Sequence, residues 1–189
     1  MAFNISNINI PKSPFLDTSS NRPTREWLLY LLGLGRTFAY GSFQNTASQN
    51  FAAANTPTLL VLNQTDSANG MYYQTGDGIH VTQTGIYNVQ YSLQMANPDT
   101  TINEITVWLK KNGVNLAGTG TKFSITTKHG SVDGYGAPAC NFFVQLNSGD
   151  YVELWASVTS ALMYIEAYPA IGSVPSIPST VVTLSQISL

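Results

Sequence analysis

The chain is poor in charged residues. Asp, Glu, Lys and Arg make up 10% of its 189 residues, against roughly 25% in a typical soluble domain. Asn, Gln, Ser and Thr occupy many of the positions where soluble proteins carry Lys and Glu. Nucleic-acid binding needs clustered Lys and Arg, so we expect no nucleic-acid partner. A polar but weakly charged surface favours strands that pack against other chains.

Cysteine and long apolar runs are also scarce. The single cysteine, Cys140, excludes an intrachain disulfide, so core burial or oligomerisation must stabilise the fold. Because Cys140 alternates with Phe142 and Val144, we expect a buried structural thiol. No apolar run approaches the roughly 20 residues that span a bilayer, and no signal-peptide pattern is found. We therefore expect synthesis in the cytoplasm and no membrane insertion.

Patterns typical of catalytic, metal or cofactor sites are missing. His80 and His129 have no carboxylate or cysteine at metal-ligand spacing, and residues 118–120 lack the lysine and helix of a phosphate loop. Three aspartates lie in Asn- and Gly-rich segments, where such carboxylates usually bond to their own backbone rather than to calcium: Asp66, Asp77 and Asp99. We expect no metal, no cofactor and no enzymatic activity.

From residue 37 onward, apolar and polar residues alternate in many segments with the two-residue period of a β-strand. After Gly85, the apolar residues Tyr87, Val89 and Tyr91 alternate with polar ones, so they share one face. About ten short strands separated by Asn- and Gly-containing turns predict an all-β antiparallel jelly-roll sandwich. The predicted strands cover residues 38–44, 58–63, 71–74, 78–81, 85–95, 102–110, 120–127, 139–146, 151–158, 162–168 and 180–187.

The first 36 residues differ from the remainder in pattern and in charge. Residues 1–22 show no periodicity, which predicts an extended N-terminal arm, and residues 23–33 predict one short helix. Residues 1–36 carry four basic and two acidic side chains, a net charge of +2, whereas residues 37–189 carry four and eight, a net charge of −4. We therefore expect a docking arm over residues 1–36 and a head domain over residues 37–189.

The predicted helix is apolar nearly all round, which is more than one surface would need. A helix of this kind beside an unpatterned arm needs partners on several sides, so we expect it to dock on another protein. The alternative is a helix packed under its own domain. The predicted docking residues are Arg25, Trp27, Leu28, Leu31 and Leu32.

Alternation leaves large aromatic residues on the second face of two predicted strands. Trp108 lies opposite the apolar set of its strand, and Tyr151 and Trp155 lie opposite that of theirs. Since Trp and Tyr are enriched in the cores of interfaces, we expect these three residues at a subunit interface. The alternative is cover by loops of the same chain.

Two longer loops, residues 96–101 and 128–138, are candidates for recognition, because loops carry variable chemistry on a rigid scaffold. In the second loop, Tyr135 lies between two glycines and is able to stack on a sugar ring. The alternative is that Tyr135 packs on its own loop. The predicted receptor contacts are His129, Asp133 and Tyr135.

Three stretches resemble strands of the heads of complement-one-q and tumour-necrosis-factor proteins: residues 85–91 (GIYNVQY), 107–113 (VWLKKNG) and 146–154 (LNSGDYVEL). Val89 stands where a Phe is usual in that family, and no collagen-like stalk precedes the head. The resemblance covers about residues 38–189. It implies a homotrimeric jelly roll that binds rather than catalyses.

Residues 14–17 (PFLD) and 23–28 (PTREWL) resemble the N-terminal anchors of tailed-bacteriophage virion proteins. This resemblance implies a virion structural protein made in the host cytoplasm. We expect a trimeric tail fibre or similar appendage whose arm binds other virion proteins, of tail or capsid, and whose head attaches to a host-surface glycan. The alternatives are a capsid decoration or cement protein and, third, a glycan-cleaving tail spike, which would need a carboxylate pair in a groove.

Overall fold

The computed structural model describes residues 10–34 and 37–188. The chain divides into two compact units, one ending at Thr37 and the other beginning at Phe38. The described residues form one α-helix and are otherwise strands and turns. Nowhere in these two ranges is a helix long and apolar enough to cross a membrane.

The helix, α1, covers Arg25–Leu34, and sixteen strands follow it. In chain order the strands are β1 (Tyr40–Asn45), β2 (Gln49–Asn50), β3 (Thr58–Leu59), β4 (Gln64–Asn69), β5 (Met71–Gln74), β6 (Gly78–Val81), β7 (Gly85–Leu93), β8 (Met95–Asn97), β9 (Asn103–Lys111), β10 (Val114–Asn115), β11 (Thr121–Ile125), β12 (Gly134–Gly136), β13 (Ala139–Leu146), β14 (Tyr151–Val158), β15 (Tyr164–Ile165) and β16 (Thr180–Ser188).

The longer strands form two antiparallel sheets. The first has the order β13-β7-β16-β1-β4, and the second has the order β10-β9-β14-β6-β5, with β11 paired to β9 and β3 paired to β14. Strands β1, β7, β13 and β16 thus share one sheet, and β6, β9, β11 and β14 share the other. The chain therefore passes repeatedly from one antiparallel sheet to the other, which is the jelly-roll arrangement. The predicted all-β jelly-roll class is confirmed.

The core lies between the two sheets and contains the apolar faces that alternation predicts. Tyr87, Val89 and Leu93 of β7 are buried, as are Val107 and Leu109 of β9. Burying side chains of this size stabilises a fold by roughly 1.5–3 kcal/mol each relative to exposure. Cys140 is partly buried and packs against this core.

Two predicted strands are much shorter in the structure, and five of its strands were not predicted. Residues 58–63 give only β3, and residues 162–168 give only β15. The five unpredicted strands are β2, β4, β8, β10 and β12; β12 lies within the predicted loop 128–138, and β8 extends into the predicted loop 96–101. Strand β4 is polar and mostly exposed because it lies at the edge of the first sheet, so it has no apolar face for alternation to reveal.

The N-terminal unit is not extended throughout its described part. Asp17 accepts backbone hydrogen bonds from Ser19 (3.0 Å) and Ser20 (2.8 Å), and Leu16 pairs with Pro23 in an isolated bridge. This closes a tight turn immediately before α1. The helix begins two residues later than predicted, because Pro23 takes part in the bridge rather than in the first helical turn.

Candidate functional site

A small third sheet lies beyond the end of β7, in the order β12-β8-β15-β2. Tyr135 of β12 pairs with Ala96 of β8, and Ala96 pairs with Tyr164 of β15. Directly opposed residues of antiparallel strands share a face. The two tyrosines therefore flank a small buried alanine on one side of this sheet.

Tyr135 is held outward by the two glycines beside it. A Cβ atom added to Gly134 would overlap the carbonyl oxygen of Thr126, and one added to Gly136 would lie 2.6 Å from Cδ1 of Ile125. Neither glycine has positive φ, so close approach rather than backbone conformation requires glycine at both positions. Strand β12 thus lies tightly against residues 125–126 and presents the ring of Tyr135, which is 51% exposed.

Two carboxylates lie beside these rings, and each accepts a hydrogen bond from a tyrosine. The hydroxyl of Tyr164 donates to Oδ2 of Asp133 at 3.0 Å, and that of Tyr168 donates to Oε2 of Glu166 at 2.6 Å. No other hydrogen bond from the described residues reaches either carboxylate. We call these five residues the tyrosine site: Asp133, Tyr135, Tyr164, Glu166 and Tyr168.

The phenols of Tyr164 and Tyr168 are held in their protonated form. Burial, together with the hydrogen bond to Asp133, raises the pKa of Tyr164 to about 12. Burial and the hydrogen bond to Glu166 likewise raise the pKa of Tyr168 well above its usual value. Both hydroxyls therefore remain donors at neutral pH, and the second oxygen of each carboxylate is left to accept a hydrogen bond from a ligand.

A shallow pocket of about 210 Å³ opens beside Tyr135 and Tyr168. The two rings meet edge to face, with centroids 6.4 Å apart. The other lining residues include Gln94 and Met95. Because this volume is below the 300–1,000 Å³ typical of drug-sized ligands, the pocket suits a group about the size of one sugar ring. Neither Asp133 nor Glu166 lines this pocket. An exposed aromatic ring beside an amide group is chemically suited to a sugar.

The structure brings together two of the three predicted receptor contacts. Asp133 and Tyr135 both belong to the tyrosine site, whereas His129 lies in an exposed turn whose backbone pairs with Val132. Sequence reasoning did not group Tyr164, Glu166 and Tyr168. Their spacing of two residues within the predicted strand 162–168 was the available signal, since it places all three on one face.

The predicted subunit-interface residues lie on the outer face of the second sheet. Trp155 pairs directly with Trp108 across β14 and β9, and the ammonium of Lys110 lies 3.5 Å from the centre of the Trp155 ring. The indole of Trp155 donates to Glu153. Trp108, Tyr151 and Trp155 are each half-buried within the chain. Their role in association remains a prediction.

The outer face of the first sheet has no charged residue on four of its strands. Pairing places Phe143, Asn88, Ser185 and Tyr40 in one row across β13, β7, β16 and β1. Phe143 is 68% exposed and Tyr40 is 50% exposed. We call this surface the charge-free face. Its outward residues are Ala139, Asn141, Phe143, Gln145, Ile86, Asn88, Gln90, Ser92, Val181, Thr183, Ser185, Ile187, Tyr40, Ser42 and Gln44.

The predicted docking residues have different surroundings within the N-terminal unit. The indole of Trp27 donates to the backbone oxygen of Ser13 at 2.8 Å, and its ring meets Phe15 and Tyr30 edge to face. Trp27 therefore holds its own unit together. Arg25, Leu28 and Leu31 are exposed, as is Leu29. The side chain of Leu32 lies outside the described residues.

One imidazole–carboxylate pair occurs in the second sheet. Nε2 of His80 lies 2.9 Å from Oδ2 of Asp77, and the His80 ring stacks on Tyr72 with ring centres 5.0 Å apart. On its other side the imidazole contacts Tyr151. Within residues 10–34 and 37–188, no three His, Cys, Asp or Glu side chains converge as a metal site would require.

No protein-family model matches the sequence, and no curated protein matches it either. Among solved structures, the chain is similar to Eiger TNF from S. frugiperda, with 14% identity and a TM-score of 0.49 over 80% of this chain and 94% of that one. It is also similar to murine APRIL, with 13% identity and a TM-score of 0.49 over 80% of this chain and all of that one.

Proposed function

We propose that the protein is a structural component of a bacteriophage virion, a trimeric tail fibre or similar appendage whose head attaches the particle to a host-surface glycan. The tyrosine site carries the attachment part of this proposal. Tyr135 is fixed outward by close packing at Gly134 and Gly136, beside two carboxylates with free acceptor oxygens. A fixed aromatic ring loses little conformational entropy when it binds, which favours weak, repeated contacts of the kind that surface attachment needs.

The N-terminal unit is the proposed anchor to other virion proteins. Leu28, Leu29 and Leu31 are each between 44 and 58% exposed on a single short helix. Exposed apolar side chains clustered in this way mark surfaces that bind protein. Arg25 adds a charged group to the same helix. The phage assignment itself rests on the resemblance of residues 14–17 and 23–28 to virion anchors.

The head associates as a homotrimer in this proposal, and two faces are available for the contact. The tryptophan face, with Trp108 and Trp155, already has Lys110, Glu153 and Asn115 as partners within the chain. The charge-free face leaves Phe143 largely exposed and carries no charge to desolvate across four strands. Cores of interfaces are depleted in charged residues, which favours the charge-free face.

Two alternatives use the same anchor or the same site. A capsid decoration or cement protein would place the N-terminal unit on the capsid, and the difference would appear as copy number per particle. A glycan-cleaving tail spike would use Asp133 and Glu166 as a catalytic pair. Incubation of the protein with host surface polysaccharide tests the last alternative, because release of reducing ends that Asp133→Asn abolishes would indicate hydrolysis.

The direct test of attachment uses particles that carry substituted heads. Tyr135→Ala should reduce adsorption to host cells while the melting temperature and the oligomer mass stay unchanged. Tyr72→Ala is the matched control, because Tyr72 is also about half-exposed but lies in the second sheet. Equal adsorption of the two variants would contradict attachment through the tyrosine site.

A further inference from the structure

The tyrosine site contains two carboxylates and no basic side chain. Asp133 and Glu166 are each hydrogen-bonded by a tyrosine hydroxyl, and the lining residue Gln94 is neutral. Carboxylates accept hydrogen bonds from sugar hydroxyls. Neither carboxylate lines the pocket itself, but Glu166 accepts the hydrogen bond of Tyr168, which does. Both carboxylates repel an anionic group bound beside the tyrosine rings, because like charges placed face to face at a binding site oppose association.

The rest of the head has little cationic charge to offset this repulsion. Residues 38–188 contain no arginine and four lysines, against eight acidic residues. Lys110 lies over Trp155, Lys111 forms an ion pair with Asp150 at 2.7 Å, and Lys122 forms one with Glu104 at 3.0 Å. These three lysines belong to β9 and β11 of the second sheet, so they are occupied away from the tyrosine site.

The fourth lysine, Lys128, is an exposed residue whose backbone N–H binds the carbonyl of Asp99. Its side chain makes no hydrogen bond or ion pair with the described residues. A bidentate arginine is the side chain best suited to recognise a carboxylate or phosphate, and the head has none. Apart from Lys128, the composition of the head and the geometry of the site therefore both select against an anionic ligand.

We propose that the tyrosine site takes a neutral hexopyranose and excludes sugars that carry a carboxylate, phosphate or sulfate. The apolar face of the pyranose lies on the ring of Tyr135, and its hydroxyls donate to the second oxygens of Asp133 and Glu166. Gln94 contributes an amide that is able to donate or accept. This inference rests on the proposed attachment function, and it specifies the ligand class of the same site.

Matched neutral and acidic sugars test the proposal with the full-length protein. Saturation-transfer NMR is carried out with methyl β-glucopyranoside and methyl β-glucuronide, and with the corresponding galactose and galacturonic acid pair. Each pair differs only by a carboxylate at carbon 6. The neutral member of at least one pair should bind, and its acidic counterpart should bind about tenfold more weakly or worse because of like-charge repulsion.

Two variants tie the discrimination to the site. Asp133→Asn and Glu166→Gln remove charge while keeping the size of the side chain, so each should improve binding of the acidic sugar relative to the neutral one. In the wild type, added salt should reduce the difference in affinity between the neutral and the acidic sugar, because exposed charges are screened. Tyr135→Ala should abolish binding of both sugars, and an unchanged melting temperature shows that each variant is folded.

The outcomes separate this inference from the attachment function. Equal or tighter binding of the acidic sugars would overturn the inference while leaving attachment through a glycan intact. Failure of all four sugars to bind would overturn the inference, and in that case adsorption of the Tyr135→Ala particles decides whether attachment through the site also fails. Binding that persists in Tyr135→Ala would place the sugar elsewhere and overturn the inference.

Discussion

Thr126 leaves no room for a side chain on Gly134, because a Cβ atom added there would overlap the carbonyl oxygen of Thr126. Gly134→Ala must therefore displace β12 and should destabilise the fold by about 1–3 kcal/mol. Urea denaturation of the full-length protein measures this difference. Gly120→Ala is the control, since Gly120 has no atom near its missing Cβ and no positive φ. Equal stability of the two variants would contradict the packing argument.

The same displacement should weaken ligand binding. Gly136→Ala places a methyl group against Ile125 rather than against the backbone, so it should be tolerated better than Gly134→Ala. We expect sugar binding to fall in the order wild type, Gly136→Ala, Gly134→Ala, as measured by saturation-transfer NMR at a temperature where all three proteins are folded. Binding that is insensitive to both substitutions would show that the fixed position of Tyr135 is unimportant.

A charge on the proposed association surface should dissociate the oligomer. Phe143→Asp introduces a carboxylate into the charge-free face, and its burial between subunits would cost several kcal/mol. Sedimentation equilibrium should show a trimer for the wild type and a monomer for Phe143→Asp. Val114→Asp is the control, because Val114 is 70% exposed on β10 of the second sheet.

The tryptophan face is tested in the same experiment. Dissociation by Trp108→Ala with retention of the trimer in Phe143→Asp would place the interface on the second sheet, where the sequence predicts it. A monomeric wild type at micromolar concentration would contradict trimerisation through either face.

The turn before α1 should be acid-labile. Hydrogen bonds from Ser19 and Ser20 hold the pKa of Asp17 at about 2, below its ordinary value of 3.8. Because the folded pKa is the lower one, the stabilisation of the turn is complete above pH 3.8 and is lost as the pH falls through about 2. NMR titration of the Ser19 and Ser20 amides should give that midpoint. A midpoint near 3.8 would contradict these hydrogen bonds, and Asp17→Asn should show no transition.

The sequence allowed the jelly roll to be predicted because its core strands bury one face. Alternation in Gly85–Leu93 and Tyr151–Val158 marks that face directly, and both strands begin and end where predicted or within two residues. Strand β4 could not be found in this way, since an edge strand without a buried face leaves no apolar period.

The tyrosine site was only partly predictable for a different reason. Asp133 and Tyr135 both lie within the predicted loop 128–138, and the two glycines beside Tyr135 indicated an exposed ring. Tyr164 and Tyr168 lie about thirty residues later in the chain, and they meet Asp133 and Tyr135 only because β8 lies between β12 and β15. That pairing is a property of tertiary structure, which no local pattern encodes.

Replacing the exposed leucines of α1 should impair incorporation into particles more than a comparable change on the head does. The double variant Leu28→Asp, Leu31→Asp should fold normally but fail to enter particles, because both side chains are exposed on α1. Trp27→Ala should have a different effect: it removes the contacts with Ser13, Phe15 and Tyr30, so it should weaken the N-terminal unit itself and reduce incorporation through that loss. Quantitative immunoblots of purified particles measure incorporation, with Val114→Asp as the control.

Gold labelling of intact particles with antibodies against residues 38–188 tests the central claim most directly. Wild-type particles should carry label at the tail, and particles made with a chain that lacks residues 1–36 should carry none although the truncated head is folded and present in the lysate. Label spread over the capsid would favour the decoration protein instead. Absence of label from wild-type particles would contradict the proposal that the protein is a virion component.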